Sequence, residues 1–169
     1  MSASLNKEIP KKFLDVAEAI LATSKSGGKT IFAGNGGSAA MASHVSVDLT
    51  KTAGIRSVNF NEADLLTCFS NDYGYENWLS KSLEFYADSN DFVVLISSSG
   101  SSPNMLNAAK FCQRSKIKFA TLSGFSSQNP LREMGDYNFY IDSNEYNIVE
   151  MTHHIWLLAI VDFIIEGQM

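Results

Sequence analysis

Phe92-Val93-Val94-Leu95-Ile96-Ser97-Ser98-Ser99-Gly100-Ser101-Ser102-Pro103 is the stretch that decides the fold. Its first five residues are continuously apolar and rich in β-branched side chains, with no polar alternation. A strand of that kind is covered on both faces, as in the centre of a parallel sheet. Pro103 closes the polar run and suits the first turn of a helix, and helical spacing follows over 104–114. Strand, hydroxyl-rich loop and helix in that order make one βα unit of an α/β fold.

The pattern repeats on both sides. Upstream, a short buried strand over 29–33 runs into Gly34-Asn35-Gly36-Gly37-Ser38, and helical spacing returns over 39–49. An apolar stripe containing Leu5, Ile9, Phe13, Val16, Ala17, Ile20 and Leu21 predicts a helix over 4–25, stopped by Ser26-Gly27-Gly28. A strand-like run over 56–60 precedes helical stretches near 63–70 and 76–86. Downstream, strands are predicted over 118–122 and 137–141, and the chain closes on a long apolar helix over about 146–166. Strand–helix alternation predicts a parallel sheet with helices on both faces, and such sheets bind ligands at the carboxyl ends of their strands. Both Gly/Ser loops fall there.

Composition narrows the function. The 169 residues are 45% hydrophobic, enough for a packed core in a single domain over 1–169. Charged residues are 18%, below the roughly 25% usual for soluble domains, which suggests surface buried against other chains. Net charge is −5 and no basic run exists, so a nucleic-acid partner is not expected. Cys68 and Cys112 are far apart, without metal or redox spacing, and read as small buried hydrophobes. The N-terminus has no apolar signal core, and no apolar run is taken to reach the ~18 residues of a membrane span. The expectation is a cytoplasmic protein without a membrane partner.

The loop over 97–102 offers five hydroxyls and a glycine immediately before a helix. A helix N-terminus presents unpaired N–H groups and partial positive charge, so it suits an anion, and Gly100 allows close backbone approach. No lysine lies in the loop, which excludes a Walker-type triphosphate cradle. The guest expected is a phosphate monoester on a small molecule; the plainer alternative is that the serines only cap the helix. Gly34-Asn35-Gly36-Gly37-Ser38-Ala39 formally fits a dinucleotide fingerprint. The acidic residue which that fingerprint needs at the end of the next strand is absent, since the run ends Val58-Asn59-Phe60-Asn61.

The segments GNGGSAAMASHVSVDL (34–49), SNDYGYE (70–76), ISSSGSSPNMLNAAK (96–110) and LSGF (122–125) resemble a sugar isomerase (SIS) domain. More closely, they resemble the sedoheptulose 7-phosphate isomerase (phosphoheptose isomerase) family, which also includes regulatory proteins that are not enzymes. The resemblance implies a flavodoxin-like three-layer α/β/α sandwich around a parallel five-stranded sheet, with long N- and C-terminal helices. It implies a cytoplasmic homotetramer with active sites at subunit contacts, serving carbohydrate metabolism and lipopolysaccharide (surface-polysaccharide) synthesis. A sugar phosphate would rest on Ser97, Ser98, Ser99 and Ser102, with Asn35, Gly36, Gly37 and Ser38 facing the sugar and Asn71 and Asp72 lining its pocket. The reaction implied is aldose–ketose isomerisation through an enediol, which needs two positioned acid–base groups.

The chain departs from that family where the chemistry lies. The family base is a glutamate four residues past a histidine; here the pair is His44 and Asp48, which i, i+4 spacing keeps on one helical face. Asp48 is one methylene shorter, a retraction of about 1.5 Å, and misplacement by ~1 Å can cost on the order of 100-fold in rate. In the last helix, the family's glutamine and its acid histidine, which in some members both bind zinc, correspond to Val149 and Leu157. Tyr146 stands where the family keeps an acidic residue. No cofactor is required by this reading, and a zinc site would keep only His44 and Asp48, too few for tight binding. His153 lies on the Val149–Leu157 stripe. It either takes over the acid role or joins a relocated metal site with His44 and Asp48, or it is a buried, hydrogen-bonded side chain beside a Glu150–His154 pair. Three readings therefore stand: a phosphoheptose-type isomerase, an isomerase for another sugar phosphate, and a non-catalytic phosphosugar- or partner-binding module.

Overall fold

The computed structural model describes residues 11–167. Six α-helices and five strands alternate as α1 (Lys11–Lys25), β1 (Thr30–Gly34), α2 (Gly37–Lys51), β2 (Ser57–Asn59), α3 (Ala63–Tyr73), α4 (Trp78–Tyr86), β3 (Phe92–Ser97), α5 (Pro103–Ser115), β4 (Lys118–Ser123), β5 (Tyr137–Tyr140) and α6 (Tyr146–Glu166). A 3₁₀ turn over Pro130–Glu133, which the sequence pattern did not announce, links β4 to β5. The predicted elements form with ends shifted by a few residues. The start of the predicted first helix, including Leu5 and Ile9, lies outside the described residues.

The sheet is wholly parallel, in the order β2-β1-β3-β4-β5. β3 is central, and every one of its residues is buried, which is why its sequence shows no alternation. Successive side chains on each strand point to opposite faces. Phe32, Val94, Ile96, Ala120 and Leu122 pack with Val16 and Ile20 of α1, Val45 and Leu49 of α2, and Leu157, Ile160 and Ile164 of α6. Ile31, Ala33, Val93, Leu95 and Phe119 pack on the other face with Leu79 and Leu83 of α4 and Met105 and Ala108 of α5. Each such fully buried apolar side chain contributes roughly 1.5–3 kcal/mol. The result is the three-layer sandwich that the resemblance implied.

Two expectations need correction. By length and composition α6 is apolar enough to cross a membrane, contrary to the reading that no stretch is. Its apolar residues Val149, Leu157, Ile160, Val161 and Ile164 are spent on the core layer above the sheet, which accounts for the composition. Cys112 is buried as expected, and burial pushes its thiol up to about 12, so it is inert. Cys68 is exposed on α3, because that helix has no fully buried residue.

The order 2-1-3-4-5 reverses between β1 and β3, so the loops leaving those two strands diverge to opposite faces and leave a crevice at their carboxyl ends. Gly34 of β1 is in register with Ile96 of β3, which brings the two Gly/Ser loops side by side.

Candidate phosphosugar site

A cavity of about 270 Å³ opens at this switch point, lined by the 35–38 turn, by Ile96, Ser97, Ser98, Ser99 and Ser102, and by Tyr146 and Glu150 of α6. Two glycines shape the loops around it. Gly36, the residue before α2, has φ 55° and ψ −121°, and Gly100 has φ 60°, conformations that a side chain would resist. The turn at Gly100 is closed by its N–H donating to Ser97 O at 3.0 Å. Asn129 packs beneath it, donating through Nδ2 to Ser123 Oγ, Gly124 O and Ser126 O and accepting from Arg132 N at Oδ1.

The loops are tied to each other by an amide pair. Asn35 Nδ2 donates to Asn104 Oδ1 at 3.0 Å, and Asn104 Nδ2 donates back to Asn35 Oδ1 at 2.9 Å. Tyr75 adds its hydroxyl to Asn35 Oδ1 at 3.2 Å. The first turn of α5 is thereby fixed against the loop that leads into α2. Both helix N-termini open toward the same cavity, and their N–H dipoles make it attractive to an anion.

Two of the hydroxyls are engaged within the loop, Ser99 Oγ accepting from Ser101 N and Ser101 Oγ donating to Ser99 O, but those of Ser98 and Ser102 are not. Ser102 precedes α5 with extended backbone, yet its side chain makes no capping hydrogen bond, and Pro103 at the first position has no N–H to satisfy. The helix-capping alternative therefore fails for the serine best placed to cap. Ser98 is buried, and its Oγ has no hydrogen-bond partner among the described residues. A buried hydroxyl left unpaired costs ~1–3 kcal/mol. A phosphoryl oxygen entering the cavity would relieve that cost.

Of the residues the sequence assigned to substrate, Asn35, Gly36, Gly37, Ser38, Ser97, Ser98, Ser99 and Ser102 all line the cavity. Asn71 and Asp72 do not. They stand exposed on α3, Asn71 Nδ2 donating to Asp72 Oδ1 at 2.9 Å. It is Tyr75, three residues on from Asp72, that reaches the loop pair. Tyr146, Glu150 and Asn104 were also not foreseen. The Glu150 carboxylate lies so close to Gly37 that a Cβ there would come 2.8 Å from its Cδ. Only the i, i+4 spacing of Tyr146, Glu150 and His154 along an otherwise apolar helix could have pointed to this face.

The histidines divide differently from expectation. His153 is fully buried, with Nε2 3.2 Å from Ser123 O and Nδ1 without a partner among the described residues. Burial carries its imidazole down to about 4, only partly opposed by the Ser123 carbonyl. It does not line the cavity, so the acid role and the relocated metal site give way to the packing role. Glu150 and His154 do not pair either. His154 turns toward α2, its Nε2 2.9 Å from His44 Nδ1, while His44 Nε2 is 3.3 Å from Asp48 Oδ2. Partial burial, then the neighbouring His44, lower the His154 pKa, and Asp48 opposes them.

Val149 and Leu157 are buried at 0% and 3% exposure, and among the described residues no group of three or more His, Cys, Asp or Glu is arranged to hold a metal ion. Both ring nitrogens of His44 already face protein groups. Val149 and Leu157 offer no metal-binding atom, which leaves His44 and Asp48 of the ligand set that the resemblance implied.

The SIS domain family pattern matches residues 2–124. Phosphoheptose isomerase 2 of Campylobacter jejuni is 34% identical over 151 residues, covering 86% of this chain and 74% of that protein. Phosphoheptose isomerase of Sulfurimonas denitrificans is 30% identical over 169 residues, covering 96% and 86%. The solved structure of phosphoheptose isomerase from Neisseria gonorrhoeae superposes with a TM-score of 0.83 at 26% identity, covering 91% of this chain and 86% of that one. With the switch-point cavity and both loops in place, the chain belongs to the SIS domain family, on its phosphoheptose isomerase side.

Proposed function

We propose that this protein isomerises sedoheptulose 7-phosphate, or a sugar phosphate of similar length, between ketose and aldose through an enediol. The observation that carries the reading is the buried, unpartnered Ser98 hydroxyl in a cavity walled by serines and two helix N-termini. That environment suits one phosphate monoester and offers nothing to a triphosphate or a nicotinamide. The relatives' names supply the sugar.

Asp48 is the carbon base in this reading. Its Oδ2 is held by His44, which leaves Oδ1 for the proton beside the carbonyl. The electron pair of the broken C–H bond becomes the carbon–carbon double bond of the enediol, and the carbonyl oxygen takes a proton. The reverse steps on the neighbouring carbon complete the exchange, with no net oxidant or reductant. Ile148, Met151 and Ile155 are left exposed on α6, which supports assembly with further copies, and the homotetramer stands as part of the proposal, as does a cytoplasmic location.

A second reading is favoured by one observation: the glutamine and histidine positions of the family are core residues here, Val149 and Leu157. On that reading the fold binds a phosphosugar without turning it over. Incubating the protein with sedoheptulose 7-phosphate in heavy water separates the two. Deuterium appearing on the carbon beside the carbonyl, and disappearing in Asp48→Asn, is the expected result. Binding without exchange supports the module, and neither binding nor exchange overturns both.

A further inference from the structure

Among the described residues lining the cavity, Glu150 alone carries a formal charge, and that charge is negative. No lysine or arginine lines the cavity to offset it. Its contact with Gly37 places the carboxylate at the first residue of α2. Each helix N-terminus supplies roughly half a positive charge, so this one carboxylate offsets what the two ends supply together. Net charge therefore does not draw a phosphate into the cavity. Directed donors must hold it.

Those donors are grouped on one side. The loop over 97–102 and the start of α5 offer hydroxyls and helix N–H groups, and the buried Ser98 Oγ there is unpartnered. Ionised phosphate oxygens accept hydrogen bonds, so that side suits them. The α2 side differs. An ionised carboxylate only accepts, and Glu150 has no ion pair or side-chain hydrogen bond among the described residues. Asn35, its neighbour in the cavity wall, already spends its Oδ1 on Asn104 and Tyr75. A chain of sugar hydroxyls brings the donors that Glu150 lacks. A plain alkyl chain brings none, and a second anionic group would meet like charge.

We propose that Glu150 is a specificity-determining residue, an acceptor that selects phosphate monoesters of polyhydroxylated chains over the same phosphate on an apolar or anionic chain. This deepens the phosphosugar reading above and rests on it, but it holds whether or not the bound sugar turns over. The orientation of the ligand follows. Its phosphate lies against the 97–102 loop and the start of α5, and the hydroxyls nearest the phosphate pass Glu150 at the start of α2.

Titration calorimetry at about pH 8, where phosphate monoesters are dianions, tests the role on wild type, Glu150→Gln and Glu150→Ala. The two probes are sedoheptulose 7-phosphate and methyl phosphate, a monoester without hydroxyls. Both substitutions suit a helix interior. Methyl phosphate should bind each variant about fivefold tighter than wild type, because a unit charge within ~8 Å of the dianion has gone. Sedoheptulose 7-phosphate should bind Glu150→Ala about 10-fold weaker, the lost hydrogen bonds to a charged acceptor outweighing the relieved repulsion. Glu150→Gln, whose amide oxygen still accepts, should fall between. A disturbed fold would weaken both ligands together, so the opposite signs are the signature. Ligands that shift in the same direction, or a sedoheptulose 7-phosphate affinity in Glu150→Ala within about twofold of wild type, overturn the proposal. Opposite shifts without deuterium uptake in heavy water would overturn the isomerase and leave Glu150 as the selector of a binding module.

Discussion

Replacing His153 by Leu tests the placement of the one histidine that sequence spacing had put in the catalytic role. In the unfolded chain an imidazole titrates near 6.5; inside this fold burial brings His153 down to about 4. Between those values the unfolded state holds a proton that the folded state refuses. Stability therefore falls as pH drops from about 6.5 to about 4, and the loss is complete below the folded value. Each pKa unit is worth ~1.4 kcal/mol, so this group alone removes about 3 kcal/mol across the window. His153→Leu abolishes that dependence, at the pH-independent cost of leaving the Ser123 carbonyl without its donor, ~1–3 kcal/mol. Urea unfolding of both proteins at half-unit steps from pH 7.5 to 4 gives the two curves. Groups common to both cancel in the difference, which should shrink by about 3 kcal/mol toward acid. Curves that stay parallel through the window would show that His153 is solvated and titrates normally, and the packing assignment would be wrong.

The phosphate loop yields two further expectations. Ser98→Ala removes a buried hydroxyl that has no partner among the described residues, so its urea midpoint should hold or rise slightly. Its affinity for sedoheptulose 7-phosphate should fall ~10–100-fold, the worth of one hydrogen bond to a charged oxygen; an unchanged affinity by calorimetry would remove Ser98 from the site. Gly100→Ala should do the opposite to stability. The left-handed backbone strains a Cβ by ~1–2 kcal/mol, and that Cβ drives into buried Asn129, whose displaced hydrogen bonds add ~1–3 kcal/mol. A melt within ~0.5 kcal/mol of wild type would refute the loop geometry, that being the ordinary range of a surface substitution.

The fold and the loops that wall the candidate phosphate cavity were legible for the same reason: both depend on local chemistry. Phe92–Ile96 lacks alternation because both its faces are buried, and the run of hydroxyls at 97–102 lies next to a helix start whatever the rest of the chain does. What sequence could not supply were relations between elements. Asn35 and Asn104 are ordinary loop and first-turn residues until the β1–β3 register sets them face to face. Asn71 and Asp72 were chosen from a matching segment, but the helical phase of α3 turns them to solvent, and Tyr75 past the helix end makes the contact instead. His153 and His154 are neighbours in the chain, yet 100° of helical rotation separates the sheet-facing stripe from the one that meets α2.

That rotation also explains how the chain can lack the family's glutamine and acid histidine while keeping a proton-bearing face. Val149, His153 and Leu157 lie on the stripe of α6 pressed to the sheet, where His153 is held uncharged and each further polar group would need a buried partner. On the adjacent stripe Tyr146 and Glu150 line the cavity, and His154 meets His44 of α2. Apolar substitution on the first stripe strengthens the core and removes nothing from the second. Near the cavity, the titratable groups that α6 keeps off the core are therefore Glu150 and His154, on the side that meets α2.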